Sequence, residues 1–139
     1  MILVLKVKLL FGTYANSEWE GVIEIQSSTT LEELHLAIQD ALYFDNDHLY
    51  EFFIARTERS RERVRFDDEG GELYSTTVED LYPLPDGRHL YYLFDYGDHW
   101  LFKITKLKKG NQEPDPHVTY PRLIHETGKR PEQYPAWED

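Results

Sequence analysis

In the stretch "LVLKVKLLF", residues 3 to 11, apolar side chains at Leu3, Leu5, Val7 and Leu9 fall on one side of an extended chain, with Lys6 and Lys8 on the other. Successive side chains of a strand point to opposite faces, so this alternation predicts a strand with one buried face. "GTYANSE" then supplies turn residues. "WEGVIEI", residues 19 to 25, resumes with the strand formers Val22 and Ile23, and the pair predicts a β-hairpin. The period changes after Thr30. Leu31, Leu34, Ile38, Ala41 and Leu42 recur as one helical stripe, and Thr30 followed by Glu33 has capping-box spacing, which predicts a helix over 31–43. "DNDH" reads as a turn and "LYEFFIA", 49 to 55, as an aromatic-rich strand.

From Arg56 the pattern dissolves into charge. Arg56, Arg59, Arg61, Arg63 and Arg65 are followed by Asp67, Asp68, Glu69 and Glu72, with Gly70 and Gly71 between them. This predicts a long exposed excursion with a short strand at "VRF". "TTVEDLYPLPDG" predicts a one-turn helix at 77–81, ended by Pro83 and Pro85, and a turn at Asp86 and Gly87. In "RHLYYLFDYGDHWLFKITKL", Leu90, Tyr92 and Phe94 alternate before a central turn and Trp100, Phe102 and Ile104 after it, as two antiparallel strands sharing a face require. The segment 108–139 holds five of the seven prolines and few apolar residues. It cannot form a core of its own, so within a single domain over 1–139 it is a Pro-rich C-terminal extension that either wraps the sheet or stays mobile.

Strand, strand, helix, strand, short helix, strand, strand places the chain in the α+β class. The order predicts a ubiquitin-like β-grasp: a mixed sheet of about five strands with one main helix packed across it. Ten Tyr, seven Phe and three Trp in 139 residues suit such a domain, in which large rings fill a small core. A mean hydropathy of −0.62 and the absence of any long apolar run predict a cytoplasmic protein with no membrane partner. With no cysteine, thiol catalysis and thiolate metal sites are excluded. The net charge of −11 repels nucleic acid at long range, so such a partner is disfavoured unless basic residues segregate on one face.

Two clusters carry the remaining candidate chemistry. In "FDYGDHW", Asp95, Asp98 and His99 offer oxygen and imidazole ligands that His35, His48 or His125 would complete around a divalent ion if the fold brings them together. Turn chemistry accounts for the same residues, with Gly97 at positive φ and aspartate bonding nearby amides. His35 lies on the helical stripe and should face the sheet, as a hydrogen-bonded core histidine or as a ligand. His48 and Glu51 stand at the start of a strand, within reach of the hairpin. Arg59, Arg61 and Arg63 are candidate phosphate contacts, joined by Lys103, Lys106, Lys108 and Lys109 if the two segments share a face. Glu58 and Glu62 interrupt the run, however, and acids follow it directly, which favours a solvated, internally compensated loop.

Three stretches together resemble the plasmid pRiA4b ORF-3-like family: "TLEELHLAIQDALYFDNDHLYEFFI" (30 to 54), "YLFDYGDHWLFKI" (92 to 104) and "YPRLIHETGKRPEQYP" (120 to 135). The resemblance covers most of the chain. It implies an α+β domain similar to the β-grasp with no established biochemical activity, and some family members are labelled as passengers of transposable elements. Two departures stand out. Relatives often carry Trp-x-His after the hairpin glycine, whereas Trp100 and Leu101 here lead to Phe102, and the Cys-containing tail of many relatives is replaced by "GKRPEQYP". Both weaken an enzyme reading.

The sequence therefore predicts a non-catalytic binding or protein-interaction module associated with plasmids or mobile elements, with an unidentified protein as partner and no cofactor. The alternative is a metal-dependent hydrolase or nucleic-acid-processing enzyme built on His48, Asp95, Asp98 and His99.

Overall fold

A computed structural model describes residues 1–135. Its strands are β1 (Ile2–Phe11), β2 (Trp19–Gln26), β3 (Tyr50–Ala55), β4 (Val64–Asp67), β5 (His89–Phe94), β6 (Trp100–Gly110) and β7 (Arg122–Gly128). One α-helix, α1 (Leu31–Leu42), joins β2 to β3, and 3-10 turns at Glu72–Tyr74 and Glu79–Leu81 interrupt the path from β4 to β5. Among the described residues no helix is long and apolar enough to cross a membrane.

The strands form one seven-stranded sheet in the order β4-β3-β5-β6-β1-β2-β7, and every neighbouring pair is antiparallel. This corrects the β-grasp expectation of a mixed sheet of about five strands. The order of elements through β6 is as expected, but β1 pairs with β6 and the two run antiparallel, as β6 also does with β5. Apolar alternation says which face a strand buries, not which neighbour it takes or in which direction. The short strand expected at "VRF" is β4, and it and the unexpected β7 lie at the edges. There a strand needs only one bonded neighbour, and "RLIHETG" in β7 is half-buried at Leu123 and Glu126 and otherwise exposed.

α1 starts as its sequence requires. Thr30 accepts from the Glu33 amide and the Glu33 carboxylate accepts from the Thr30 amide, closing both halves of the capping box. The helix ends at Tyr43, whose φ of 58° reverses the chain. Its apolar stripe packs with Leu5, Val7, Ile23, Ile25, Phe52, Phe94, Trp100 and Phe102 on one face of the sheet. Aromatic rings run along this layer, with Phe52 to Tyr92 centroids 4.9 Å apart and Tyr92 to Phe102 5.8 Å apart.

The opposite face has a smaller cluster of its own, made of Phe53, Ala55, Tyr91, Leu93 and Leu101. No helix covers it. The arginine run folds across it instead: the Arg63 guanidinium lies 4.0 Å from the Phe53 ring centroid and donates to the carbonyls of Ser60 and Glu58. The expected solvated excursion is thus partly a cover, and β4 lies at its end.

As far as residue 135, the C-terminal extension wraps the sheet. β7 pairs with β2, and Trp19 Nε1 donates to Glu126 at 2.6 Å. At Gly128, φ is 83° and an added Cβ would lie 2.2 Å from the Glu18 carbonyl, so the close approach of the strap to the chain before β2 requires glycine. The strap then passes the end of α1, where the Arg130 guanidinium sits 4.2 Å from the Tyr43 ring centroid.

Arg63→Ala should uncover Phe53 and lower unfolding free energy by about 1–2 kcal/mol, because a half-buried cation–π contact and charged hydrogen bonds are lost together. Arg59→Ala and Arg61→Ala, at exposed positions, should leave it within about 0.5 kcal/mol. Urea denaturation of the three variants checks both.

Candidate functional site

The two histidines nearest the hairpin belong to separate networks, one beneath the surface and one on it. His35 is 1% exposed. Its Nε2 lies 2.5 Å from Asn46 Oδ1 and its Nδ1 2.6 Å from the Tyr92 hydroxyl, while Gln39 Nε2 donates to the same hydroxyl at 2.9 Å. These partners assign the protons. Asn46 Oδ1 only accepts, so Nε2 carries the hydrogen and Nδ1 accepts from Tyr92, whose oxygen accepts from Gln39. Gln39 Oε1 then accepts from the Asn46 amide at 3.0 Å, closing the ring of bonds. The imidazole also stacks on Tyr50, with centroids 3.5 Å apart and planes 1° from parallel, and the Tyr50 hydroxyl donates to Glu32.

Burial holds the His35 pKa below its ordinary value, against smaller opposing effects of Asn46 and Glu32. The same burial, reinforced for Tyr50 by Glu32, pushes the phenols of Tyr92 and Tyr50 upward. This is a neutral, saturated core network with no lone pair turned to solvent for a metal or substrate.

His48 lies on the surface, in the turn between α1 and β3. Its Nε2 is 3.3 Å from Asp95 Oδ2, 2.8 Å from the Tyr134 hydroxyl and 3.7 Å from Asp47 Oδ1. The strap supplies the rest: Tyr134 donates to Asp47 Oδ2 at 2.7 Å, Gln133 donates to Asp47 Oδ1 at 2.8 Å, and Gln133 Oε1 accepts from the Asp45 amide at 2.6 Å. Tyr134, with its proton committed to Asp47, leaves its oxygen as acceptor for His48. The Asp47 carboxyl is held below the usual range, chiefly by Tyr134 and further by Gln133, while the Tyr134 phenol is pushed up to about 12 by Asp47.

The hairpin turn is organised by Asp95 rather than by its glycine. Asp95 and His99 take left-handed φ of 64° and 56°, and Gly97 does not, contrary to expectation. Asp95 Oδ1 accepts from the amides of Gly97 and Asp98 at 3.0 and 3.2 Å, and its carbonyl accepts from His99. Asp98 is close enough to Asp95 that burial and this second carboxylate raise its pKa, with His48 opposing.

His48, Asp95 and Asp98 therefore come together. His35 does not join them: the Phe94 ring stands between, its centroid 6.0 Å from each of His35 and His48. His99 turns away to pack edge-on against Phe11, and His125 lies on the far edge strand, bonded to Thr127. Among the described residues no group of three or more His, Asp or Glu side chains is arranged to hold a metal ion.

Glu51, buried on the second face, is held by a two-pronged bond from Arg65 at 2.8 and 3.0 Å. Burial, followed by Glu51, pushes the Tyr96 phenol to about 12. Of the arginines, Arg63 and Arg65 thus bond within the protein, while Arg59 and Arg61 are exposed. The lysines divide between the faces: Lys103 pairs with Tyr91 on the arginine-covered face, whereas Lys106 pairs with Leu5 on the helix face.

The sequence reading missed Gln39, Asn46, Asp47, Gln133 and Tyr134. Gln39 carried a signal, since it follows His35 by one helical turn and thereby marks a second polar group beside the apolar stripe. The partnership of Asp47 with Tyr134 carried none, because 87 residues separate them.

A recess of ligand-like size lies elsewhere. About 530 Å³ in volume, it is lined by Leu3, Tyr82, Leu84, His89, Ile104 and Lys106 among others, where the segment before β5 meets β1 and β6.

The sequence profile of a family described as plasmid pRiA4b ORF-3-like protein matches residues 2–134. A crystal structure of MM3350, a protein of unknown function from Methanosarcina mazei Go1, superposes with a TM-score of 0.64 at 22% identity, covering 90% of this chain and 68% of that one. The likeness is one of fold. No curated protein matches the sequence.

Because the folded state keeps His35 neutral, unfolded chains bind the extra proton below the ordinary histidine pKa near 6.5. The His35 contribution to stability is complete above that pH and is lost as pH falls toward the lowered folded value, by at most roughly tenfold in the folding constant per pH unit. In an NMR titration, the His35 ring resonances should keep neutral shifts through pH 6.5, while an accessible imidazole there would titrate. A second outcome concerns the strap: Asp47→Ala should speed proteolysis and amide exchange over 129–135, leaving exchange in β5 and β6 unchanged.

Proposed function

We propose that this chain, which belongs to the plasmid pRiA4b ORF-3-like family, is a non-catalytic binding module. The observation that carries the reading is the engagement of its candidate acid–base groups by the protein itself. His35 is saturated in the core. Both oxygens of Asp47 accept from the strap, and one oxygen of Asp95 accepts from two turn amides. A general base or metal-bound water needs a lone pair aimed into a cleft, together with a place for substrate beside it. Here the corresponding lone pairs hold chain segments together.

The 530 Å³ recess supports the same reading, because it has ligand-like dimensions and lies apart from the His48–Asp95 cluster. The arginine run favours no nucleic-acid reading. Arg63 and Arg65 bond within the protein, and exposed Arg56, Arg59 and Arg61, interleaved with Glu58 and Glu62, give little phosphate neutralisation in a protein of net charge −11.

The test is hydrolysis of phosphodiester, phosphomonoester and peptide substrates with Mg²⁺, Mn²⁺ or Zn²⁺ supplied, comparing the protein with Asp95→Asn and His48→Gln. Equal, background rates are expected throughout. Metal-stimulated turnover that Asp95→Asn abolishes would overturn the reading.

A further inference from the structure

We propose that the recess beside Lys106 binds a small organic monocarboxylate with a compact apolar body, either aromatic or branched aliphatic. The proposal rests on the binding-module reading and gives it a ligand class.

Strand register pairs Lys106 with Leu5, a fully buried core residue, so this lysine projects from the side of the sheet that packs against α1. An exposed lysine on a core-facing position is unusual, and among the described residues Lys106 has no carboxylate within ion-pair distance. Its ammonium meets a ring: Nζ lies 5.5 Å from the Tyr82 centroid. The Tyr82 hydroxyl is buried and has no partner among the described residues, so the ring rather than the hydroxyl faces the ammonium. Leu3, Ile104, Pro83 and Leu84 line the same recess. A positive charge beside apolar walls complements a ligand that is anionic at one end and apolar at the other.

Size and charge narrow the class. About 530 Å³ lies within the range occupied by small ligands and leaves ample room for a single ring or branched chain. Among the lining residues Lys106 is the one lysine and exposed Glu79 the one carboxylate. His89 adds no second cation at neutral pH, because burial and then Lys103 hold its pKa below the ordinary value. In a chain of net charge −11, one ammonium suits one negative charge, and a nucleotide or other polyanion would meet unrelieved repulsion. Ser27 and Asn111 also line the recess and bring hydrogen-bonding side chains to it.

The test is an amide NMR titration at pH 7 with phenylacetate, 3-methylbutanoate and, as the uncharged isostere, phenylacetamide. Both carboxylates should perturb Leu3, Leu84, Ile104 and Lys106. Phenylacetate should bind about tenfold more tightly than phenylacetamide, the scale of one charge-assisted contact. Lys106→Gln should abolish that preference while keeping the native spectrum and the phenylacetamide affinity, and Lys108→Gln should change neither. Equal affinity for acid and amide, perturbations centred elsewhere, or no saturable shift up to about 20 mM would overturn the proposal. Such a failure leaves the hydrolysis comparison untouched, and turnover there would defeat the module reading whatever the carboxylates do.

Discussion

One α-helix cannot cover both faces of a seven-stranded sheet, and the organisation of this chain follows from that shortage. α1 closes the larger core against β1, β6, β5 and β3. The second face is divided. Its apolar half, around Phe53, Tyr91 and Leu101, lies under the arginine run, with Arg63 packed flat on Phe53. The other half, over β1, β2 and β7, is charged and carries ion pairs such as Lys6–Glu20 and Arg122–Glu24. A long arginine side chain is suited to the first task, because its plane covers an aromatic ring while its donors reach backbone carbonyls that a loop leaves unpaired.

The same economy of structure explains the hairpin rim. A turn between α1 and β3, the turn between β5 and β6, and the end of the strap converge there, and each brings polar backbone groups that need partners. Asp95 satisfies the amides of its own turn, Asp47 receives the strap, and His48 bridges the two through Asp95 and Tyr134. An arrangement that resembles a catalytic cluster in composition works here as a fastener between segments distant in sequence.

How much of this could be read from sequence depended on distance along the chain. α1 was legible to within a residue, since Thr30, Glu33 and the Leu31–Leu34–Ile38 stripe act over one or two helical turns. The strands with alternating apolar faces were legible for the same reason, and so was the inward direction of His35. Strand direction was not, because pairing β1 with β6 joins residues such as Val7 and Ile104 that no local pattern relates. β7 was hidden by exposure on most of its length, and Arg63 looked like its neighbours Arg59 and Arg61 although only its side chain turns inward. At the hairpin the residues were right and the roles were exchanged: left-handed backbone falls on Asp95 and His99, where a glycine was expected to take it.

The pairing of β2 with β7 has a consequence for how the chain is made. Trp19 meets Gly128, so the strand that completes this edge emerges from the ribosome 109 residues after the edge itself. At ordinary elongation rates that is roughly 5–20 s, during which the hydrogen-bonding groups of β2 face other chains and solvent instead of β7. Glu20 and Glu24 lie along the waiting strand, and charges on an open edge discourage its addition to other chains. The acidic residues that later pair with Lys6 and Arg122 thus have an earlier task, as guards of a nascent chain whose last strand is still to be translated.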